Sequence, residues 1–94
     1  MILSYRDKNS ERFAKGDFVK AFQGFEDQIS RRLSILNAAL SLDNLRALPS
    51  NRLEALKADR LGQFSIRINQ QWRLCFEWPD GQIGPSSVEI VDYH

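Results

Sequence analysis

The sequence predicts an α+β fold of two layers, in which N-terminal helices pack on a mainly antiparallel β-sheet. Two observations predict it. Apolar residues recur at spacings of three and four between Phe18 and Leu40, which is the pattern of an amphipathic helix. From Phe64 onward apolar and polar residues alternate, which is the pattern of strands with one buried face. The helical pattern therefore precedes the strand pattern along the chain.

Short elements are expected at the start of the chain. Residues 2–5 form a predicted opening strand. Asp7 or Asn9 is placed to cap a short helix that runs through Phe13, because a side-chain oxygen at this position accepts a hydrogen bond from the first helical turn. Gly16 is the expected end of this helix.

The long apolar stripe is predicted to be one helix from Phe18 to Leu40, of about six turns at 3.6 residues per turn. Gly24 lies inside it at a cost of roughly 1 kcal/mol. Such a stripe can also face a coiled-coil partner, but in a chain of 94 residues we expect it to face the core. A short capped helical turn over residues 41–45 and a loop over residues 47–51 are predicted to follow.

The second half of the chain predicts a β-hairpin, a turn and a last strand. The hairpin strands are residues 64–68 and 72–78, joined by residues 69–71. Because paired residues must share a face, Ile66 is expected opposite Leu74 and Phe64 opposite Phe76. Residues 79–81 form a predicted turn, residues 84–86 end a loop, and residues 87–93 form the last strand.

The hairpin is expected to leave one sheet face without helices. Five side chains are predicted on that face, Ser65, Arg67, Arg73, Cys75 and Glu77. The register places Arg67 directly opposite Arg73, where like charges repel. Two guanidinium groups suit a phosphate anion, so the pair indicates an anion site. The alternative, that Glu77 and Asp59 neutralise the two arginines, stays open.

Length and composition limit the possible functions. We expect a single domain over residues 1–94. No apolar run approaches the ~18 residues of a membrane-spanning helix, and the first residues do not resemble a signal peptide, so a cytoplasmic protein without a membrane partner is predicted. The single cysteine, Cys75, excludes an internal disulfide, and the single histidine, His94, excludes a multi-histidine metal site. Neither a metal nor another cofactor is expected.

Charge is distributed unevenly along the chain. Residues 1–73 hold all 13 Lys and Arg residues and eight of the 12 Asp and Glu residues. This asymmetry permits an anionic partner on one surface. Scattered, solvated charge explains it equally well.

Three stretches are specific enough to suggest a family: residues 51–69, residues 71–78 and residues 88–94. Together they closely resemble the HigB-type toxins of bacterial toxin–antitoxin systems, a branch of the RelE/ParE superfamily. The resemblance implies a RelE-like fold and a type II toxin that cuts messenger RNA in the ribosomal A site and so inhibits translation. It also implies a cognate antitoxin with a helix-turn-helix domain, through which the pair binds operator DNA.

The resemblance also implies an active site. Lys57 matches the basic residue of the family's Lys-Gly-Asp-Arg loop, and Arg73 matches the arginine that follows the family's tryptophan. Asp92, Tyr93 and His94 match its terminal Asp-Tyr-His.

The chain departs from the family pattern at two positions. Glu54 stands where some members have histidine, so the identity of the general base stays open between this carboxylate and His94. Ala58 replaces the loop glycine, which is expected to alter the path of the loop.

The implied reaction is metal-free RNA cleavage, which needs a base, positive charge at the phosphorane and an acid. Arg73 with Lys57 supplies the charge, and an imidazole titrates near neutral pH, as acid–base catalysis requires. Tyr93 is expected to stack on a base or to donate a proton. Asp92 is expected to orient a neighbour. Arg60 and Arg67 are candidate contacts to the RNA backbone.

Two other functions stay open. ParE-like relatives poison DNA gyrase without an enzymatic step, whereas the basic residues together with the terminal Tyr-His favour RNA cleavage in this chain. A module that binds an antitoxin but has lost activity is the third interpretation, and it rests on Glu54 and Ala58.

Overall fold

The computed structural model describes residues 1–93. Its helices are α1 (Lys8–Ala14), α2 (Glu26–Ala38) and α3 (Leu42–Arg46), with 3₁₀ turns at Lys20–Phe22, Pro49–Asn51 and Ala58–Arg60. Its strands are β1 (Glu54–Ala55), β2 (Gln63–Arg67), β3 (Trp72–Glu77) and β4 (Ser86–Asp92). They form one antiparallel sheet in the order β1-β2-β3-β4. The predicted α+β fold is confirmed. In this part of the chain, no helix has the length and apolar character needed to cross a membrane.

Local capping residues start the two shortest helices. The Asp7 carboxylate accepts a hydrogen bond from the backbone N–H of Ser10 at the start of α1. The Ser41 hydroxyl accepts one from the backbone N–H of Asn44 at the start of α3. Both helices therefore begin where the sequence predicted.

The prediction of one helix from Phe18 to Leu40 is wrong. The chain is interrupted at Gly24, whose φ of 98° lies in the left-handed region that glycine adopts most readily. Helix α2 begins only after this break. Phe18 is 64% exposed and Leu40 is 84% exposed, while Ile29 and Leu36 within α2 are fully buried. Only the central part of the stripe therefore faces the core.

The β2–β3 hairpin has the predicted register, with Ile66 opposite Leu74 and Phe64 opposite Phe76. The sheet face that packs against the helices is called the helix face below. Its buried side chains include Ile66, Leu74, Phe76, Val88 and Ile90. The core therefore lies between this face and α2.

An aromatic cluster closes one end of the core. The Trp72 ring lies 4.9 Å from the ring of Phe25 and 5.8 Å, edge to face, from that of Phe22. Phe22 also meets Phe13 of α1 edge to face at 5.8 Å. These contacts join the start of β3 to the segment around the Gly24 break.

The N-terminal segment borders the sheet but forms no regular strand. Its one β-bridge joins Tyr5 to Val88 in parallel orientation, and the backbone N–H of Val88 donates to the carbonyl of Ser4 at 3.0 Å. Leu3 likewise donates to the carbonyl of Pro85 at 2.8 Å. The predicted opening strand is therefore an extended segment, and β4 lies between it and β3.

The other sheet face, called the polar face below, is not open as predicted. Its buried side chains are Gln63, Ser65, Arg73 and Cys75. Long charged side chains from other segments cover it, because Arg60 and Arg6 both reach Glu89, at 3.2 and 3.8 Å. The prediction failed because the hairpin pattern describes neither Arg6, which is distant in sequence, nor the loop that carries Arg60.

Candidate active site

Arg73 is the centre of the candidate site, and its position on the polar face leaves it only 9% exposed. Its Nε donates a hydrogen bond to Ser65 Oγ at 2.7 Å, and its Nη2 donates to the backbone carbonyl of Arg52 at 2.6 Å. The Glu54 carboxylate lies 3.4 Å from the same Nη2. Within residues 1–93 the remaining nitrogen, Nη1, has no bonded partner. These contacts fix the guanidinium group, and among residues 1–93 they leave Nη1 for a ligand.

Strand β1 and the residues before it supply two of the partners of Arg73. Glu54 is paired with Ser65 across the β1–β2 ladder, which brings its carboxylate over the polar face. Arg52 has a φ of 46°, a left-handed conformation that costs about 1–2 kcal/mol in a residue with a side chain. The hydrogen bond that its carbonyl accepts from a charged donor contributes about 1.5–3 kcal/mol and offsets this cost.

The end of β4 places Tyr93 at the site and Asp92 away from it. The Tyr93 ring centroid lies 5.9 Å from Arg73 Cζ, which is the range of a cation–π contact. Asp92 lies opposite Trp72, so it shares the side of the sheet that Arg73 does not occupy. Its carboxylate accepts a hydrogen bond from Gln71 Nε2 at 3.1 Å. The structure therefore brings together Arg73 and Tyr93, and Asp92 contacts the hairpin turn instead.

Lys57 lies in the loop between β1 and β2, immediately before the 3₁₀ turn Ala58–Arg60. Its side chain is exposed and forms no ion pair with any residue from 1 to 93. The loop is anchored to β2, because the backbone N–H of Leu56 donates to the carbonyl of Gln63 at 2.9 Å. Ala58 has a φ of 54°, in the region that favours glycine. The residue that replaces the family's glycine therefore adopts a backbone conformation that suits glycine.

The two candidate RNA contacts have partners within the molecule. Arg60 Nη1 lies 3.0 Å from Gln63 Oε1 and 3.2 Å from Glu89 Oε1. Arg67 Nε donates to the backbone carbonyl of Asn69 at 3.2 Å. Both are partly exposed. Their roles in RNA binding stay predictions.

The predicted opposition of Arg67 and Arg73 is confirmed, whereas Glu77, one of the two counter-charges of the alternative interpretation, does not pair with Arg73. Glu77 forms its ion pair with Arg6, at 3.9 Å, and the carboxylate beside Arg73 is that of Glu54. This difference arises because β1 pairs with β2 and places Glu54 beside Arg73. Glu77 lies farther along β3 from Arg73.

The sequence assigned no role to two partners of Arg73, and one predicted site residue lies outside the part of the chain that the structure describes. The Ser65 hydroxyl shares the face of Arg73, which the alternation of the hairpin already indicated, but the carbonyl of Arg52 has no sequence signal at all. His94 lies outside the described residues, so its role stays a prediction. Within residues 1–93 no group of three or more His, Cys, Asp or Glu side chains is arranged to hold a metal ion.

An α+β fold with helices packed on one antiparallel sheet is consistent with that of RelE-like toxins, and the sequence comparisons place this chain in that class. Residues 3–94 match the family described as "RelE-like toxin of type II toxin-antitoxin system HigB". The chain is 40% identical to Toxin HigB-1 of Vibrio cholerae serotype O1 over 83 residues. This aligned region covers 86% of this chain and 87% of that toxin.

A second relative, an uncharacterized protein of Haemophilus influenzae, is 31% identical over 66 residues, which is 70% of this chain and 65% of that protein. The chain therefore belongs to the HigB-like toxins of type II toxin–antitoxin systems. Membership of this family implies a cognate antitoxin as its partner.

Proposed function

We propose that this toxin is a ribosome-dependent mRNA endoribonuclease that needs no metal and inhibits translation in the cytoplasm. The observation that carries the proposal is that Ser65, Arg52 and Glu54 hold the guanidinium group of Arg73, while no residue from 1 to 93 bonds to its Nη1. A cation that is fixed before the substrate arrives stabilises developing charge without reorganising.

The proposed reaction is attack of the RNA 2′-oxygen on the adjacent phosphorus. The 2′-hydroxyl loses its proton, its oxygen bonds to phosphorus, the bond from phosphorus to the 5′-oxygen breaks, and the 5′-oxygen gains a proton. Arg73 Nη1 and the ammonium group of Lys57 stabilise the dianionic phosphorane between these steps. The loop that carries Lys57 is anchored beside β1, on the same edge of the sheet as Glu54.

Glu54 is the proposed general base, with His94 as the alternative. The side chain of Glu54 is 55% exposed and lies 3.4 Å from Arg73, so it is accessible to a 2′-hydroxyl bound at the guanidinium group. Tyr93 stacks on an RNA base or protonates the leaving oxygen. Asp92 acts as a positioning residue, because its bond to Gln71 holds the end of β4 against the hairpin turn.

The proposed dependence on the ribosome follows from charge. Free RNA binding relies on many phosphate contacts, and a chain of net charge +1 has little excess charge for them. The ribosome holds the mRNA instead. In this proposal residues 1–94 are one domain, the antitoxin carries a helix-turn-helix domain, and the toxin reaches operator DNA only through it.

The test is a map of transcript 5′ ends after brief induction without antitoxin. The reporter is transcribed in two forms, with and without a start codon, so that only one engages ribosomes. We expect new ends inside translated regions only. Cleavage of both forms, or of naked RNA at physiological salt, would contradict ribosome dependence. Growth arrest with intact transcripts and cleaved DNA would point to a gyrase poison.

The role of Glu54 has a separate test. Glu54→Gln keeps the shape of the side chain but cannot accept the proton, so we expect kcat on ribosome-bound mRNA to fall by about 10²–10⁴. Glu77→Gln is the matched control, because Glu77 lies on the same sheet face and pairs with Arg6 instead. Equal activity of the two variants would assign the base to another residue.

A further inference from the structure

A cleft of about 330 Å³ lies between α2 and the end of β2, outside the candidate active site. Five residues line it, Asp27, Gln28, Arg31, Arg32 and Ile68. Its volume is at the small end of the range of ligand sites. No step of the proposed reaction uses it.

Two adjacent arginines make this cleft cationic. Neither Arg31 nor Arg32 forms an ion pair with a carboxylate in the described part of the chain, although Asp27 lines the same cleft. Burial and the nearby charge of Arg31 both lower the pKa of Arg32, because each disfavours its positive charge. An anion bound between the two side chains would remove this repulsion.

Arg32 is also fixed in position. Its Nη1 donates a hydrogen bond to Asn51 Oδ1 at 2.7 Å and lies 3.5 Å from Ser50 Oγ. Asn51 is fully buried, and its Nδ2 donates to the backbone carbonyl of Leu45 at 3.0 Å. A guanidinium group that is already ordered loses little conformational entropy when it binds a ligand.

The cleft adjoins the candidate active site through two consecutive residues. Asn51 holds Arg32, and the carbonyl of the next residue, Arg52, holds Arg73. Consecutive Cα atoms are about 3.8 Å apart. Because α2 packs on the helix face and Arg73 lies on the polar face, an extended polyanion bound at Arg73 would pass around the sheet at Asn51 and Arg52 to place another of its charges in the cleft.

We propose that this cleft binds a backbone phosphate of the single-stranded RNA that enters the active site. The inference rests on the proposed function, since it takes RNA as the substrate. Planar guanidinium forks suit phosphate oxygens, and the connection through Asn51 and Arg52 favours the substrate over an acidic segment of the antitoxin. Arg31 and Arg32 act in this proposal as binding residues.

The test measures binding without cleavage. The probe is a labelled RNA hexamer whose 2′-positions are methylated, so that the proposed reaction cannot occur, and its affinity for the purified toxin is measured by fluorescence anisotropy at several salt concentrations. We expect Arg31→Gln to weaken binding roughly 10-fold. The slope of log affinity against log salt should shrink by about 0.7, the value for one phosphate contact to a single strand.

Arg12→Gln is the matched control, because Arg12 is an exposed arginine on α1 that pairs with Asp17. We expect it to leave the salt slope unchanged. Arg32→Lys provides a second variant that keeps the charge but loses the planar fork, and it should weaken binding less than Arg31→Gln does. Thermal melting of each variant checks that it is folded.

Several results would overturn the cleft assignment. They are an unchanged salt slope for Arg31→Gln, a wild-type toxin that does not bind the hexamer at low salt, or a loss of antitoxin affinity with RNA binding intact. The experiment also separates this inference from the proposed function. Loss of RNA binding in Arg31→Gln would support the cleft assignment even if the wild-type toxin did not cut ribosome-bound mRNA. If the wild-type toxin does cut mRNA, normal RNA binding by Arg31→Gln would reject the cleft assignment and leave the proposed function intact.

Discussion

The two faces of the sheet come from the same strands, but one is buried by apolar packing and the other by polar side chains that form hydrogen bonds. On the helix face, Leu74 and Phe76 are fully buried among apolar side chains, where stabilisation depends on the area removed from water. On the polar face, Ser65 and Arg73 are buried with hydrogen-bond partners at defined positions. The first kind of burial stabilises the fold, and the second fixes a charged group in a defined orientation.

Truncation on the helix face should have the largest effect on stability. Phe76→Ala removes a fully buried ring and leaves a cavity, so we expect the free energy of unfolding to fall by about 3–5 kcal/mol. Urea denaturation measures it, with Phe76→Leu as the milder control. A loss below about 1 kcal/mol would contradict the packing described for this face.

Truncation on the polar face should cost less stability and more activity. Arg73→Ala leaves Ser65 and the carbonyl of Arg52 without their donor, so we expect a loss of about 1–3 kcal/mol. Cleavage of ribosome-bound mRNA should fall by about 10²–10³ because a donor to the phosphorane is lost. A folded Arg73→Ala toxin that cuts normally would reject the site.

Arg67→Ala is the control for this prediction, because Arg67 lies opposite Arg73 but is less buried. We expect it to change the free energy of unfolding by less than about 1 kcal/mol. Because Arg73 is buried, we expect its removal to affect stability as well as activity.

The buried thiol of the polar face should make stability depend on alkaline pH. Burial raises the pKa of Cys75, so the folded state holds the thiol proton more tightly than the unfolded state does. Stability should be constant below the unfolded thiol pKa of about 8.5 and should fall above it, by at most about 1.4 kcal/mol per pH unit. Denaturation of wild type and Cys75→Ala between pH 7 and 10 tests this. An identical alkaline loss in the variant would assign the effect elsewhere.

The smallest predicted effect is a gain of stability in the loop beside the polar face. Ala58→Gly removes the strain of a φ of 54°, about 1–2 kcal/mol, and adds an unfolded-state entropy cost of about 0.4–1 kcal/mol. We therefore expect a net gain of roughly 0.5–1 kcal/mol, seen as a higher melting temperature. Ala55→Gly in β1 is the control and should destabilise the protein. A lower melting temperature for Ala58→Gly would contradict the strain.

Local patterns were enough to predict much of this fold. The period of two fixed the register of the hairpin, including the opposition of Arg67 and Arg73. Asp7 and Ser41 marked helix starts because capping depends on bonds within a single turn. The break at Gly24 was missed because the sequence does not show which φ a glycine adopts inside an apolar pattern.

The composition of the site was harder to predict because its contacts are long-range. Strand β1 has only two residues, too few to show alternation, so the position of Glu54 beside Arg73 had no local signal. The cover of the polar face by Arg6 and Arg60 depends on segments that the hairpin pattern does not describe. The family resemblance selected Arg73 and Tyr93 as neighbours, but periodicity alone did not.

The position of β4 between β3 and the N-terminal segment has a consequence for the order of folding. The bond from the backbone N–H of Ser87 to Ser4 Oγ joins residues 83 positions apart, whereas the β2–β3 hairpin closes over a short turn. Contacts of such long range form late because the entropy of closing a long loop opposes them. Tyr93 follows β4, so it reaches Arg73 only when this strand has docked. We therefore expect the newly made chain to pass through a stage with a formed hairpin in which Arg73 and Tyr93 are not yet in contact.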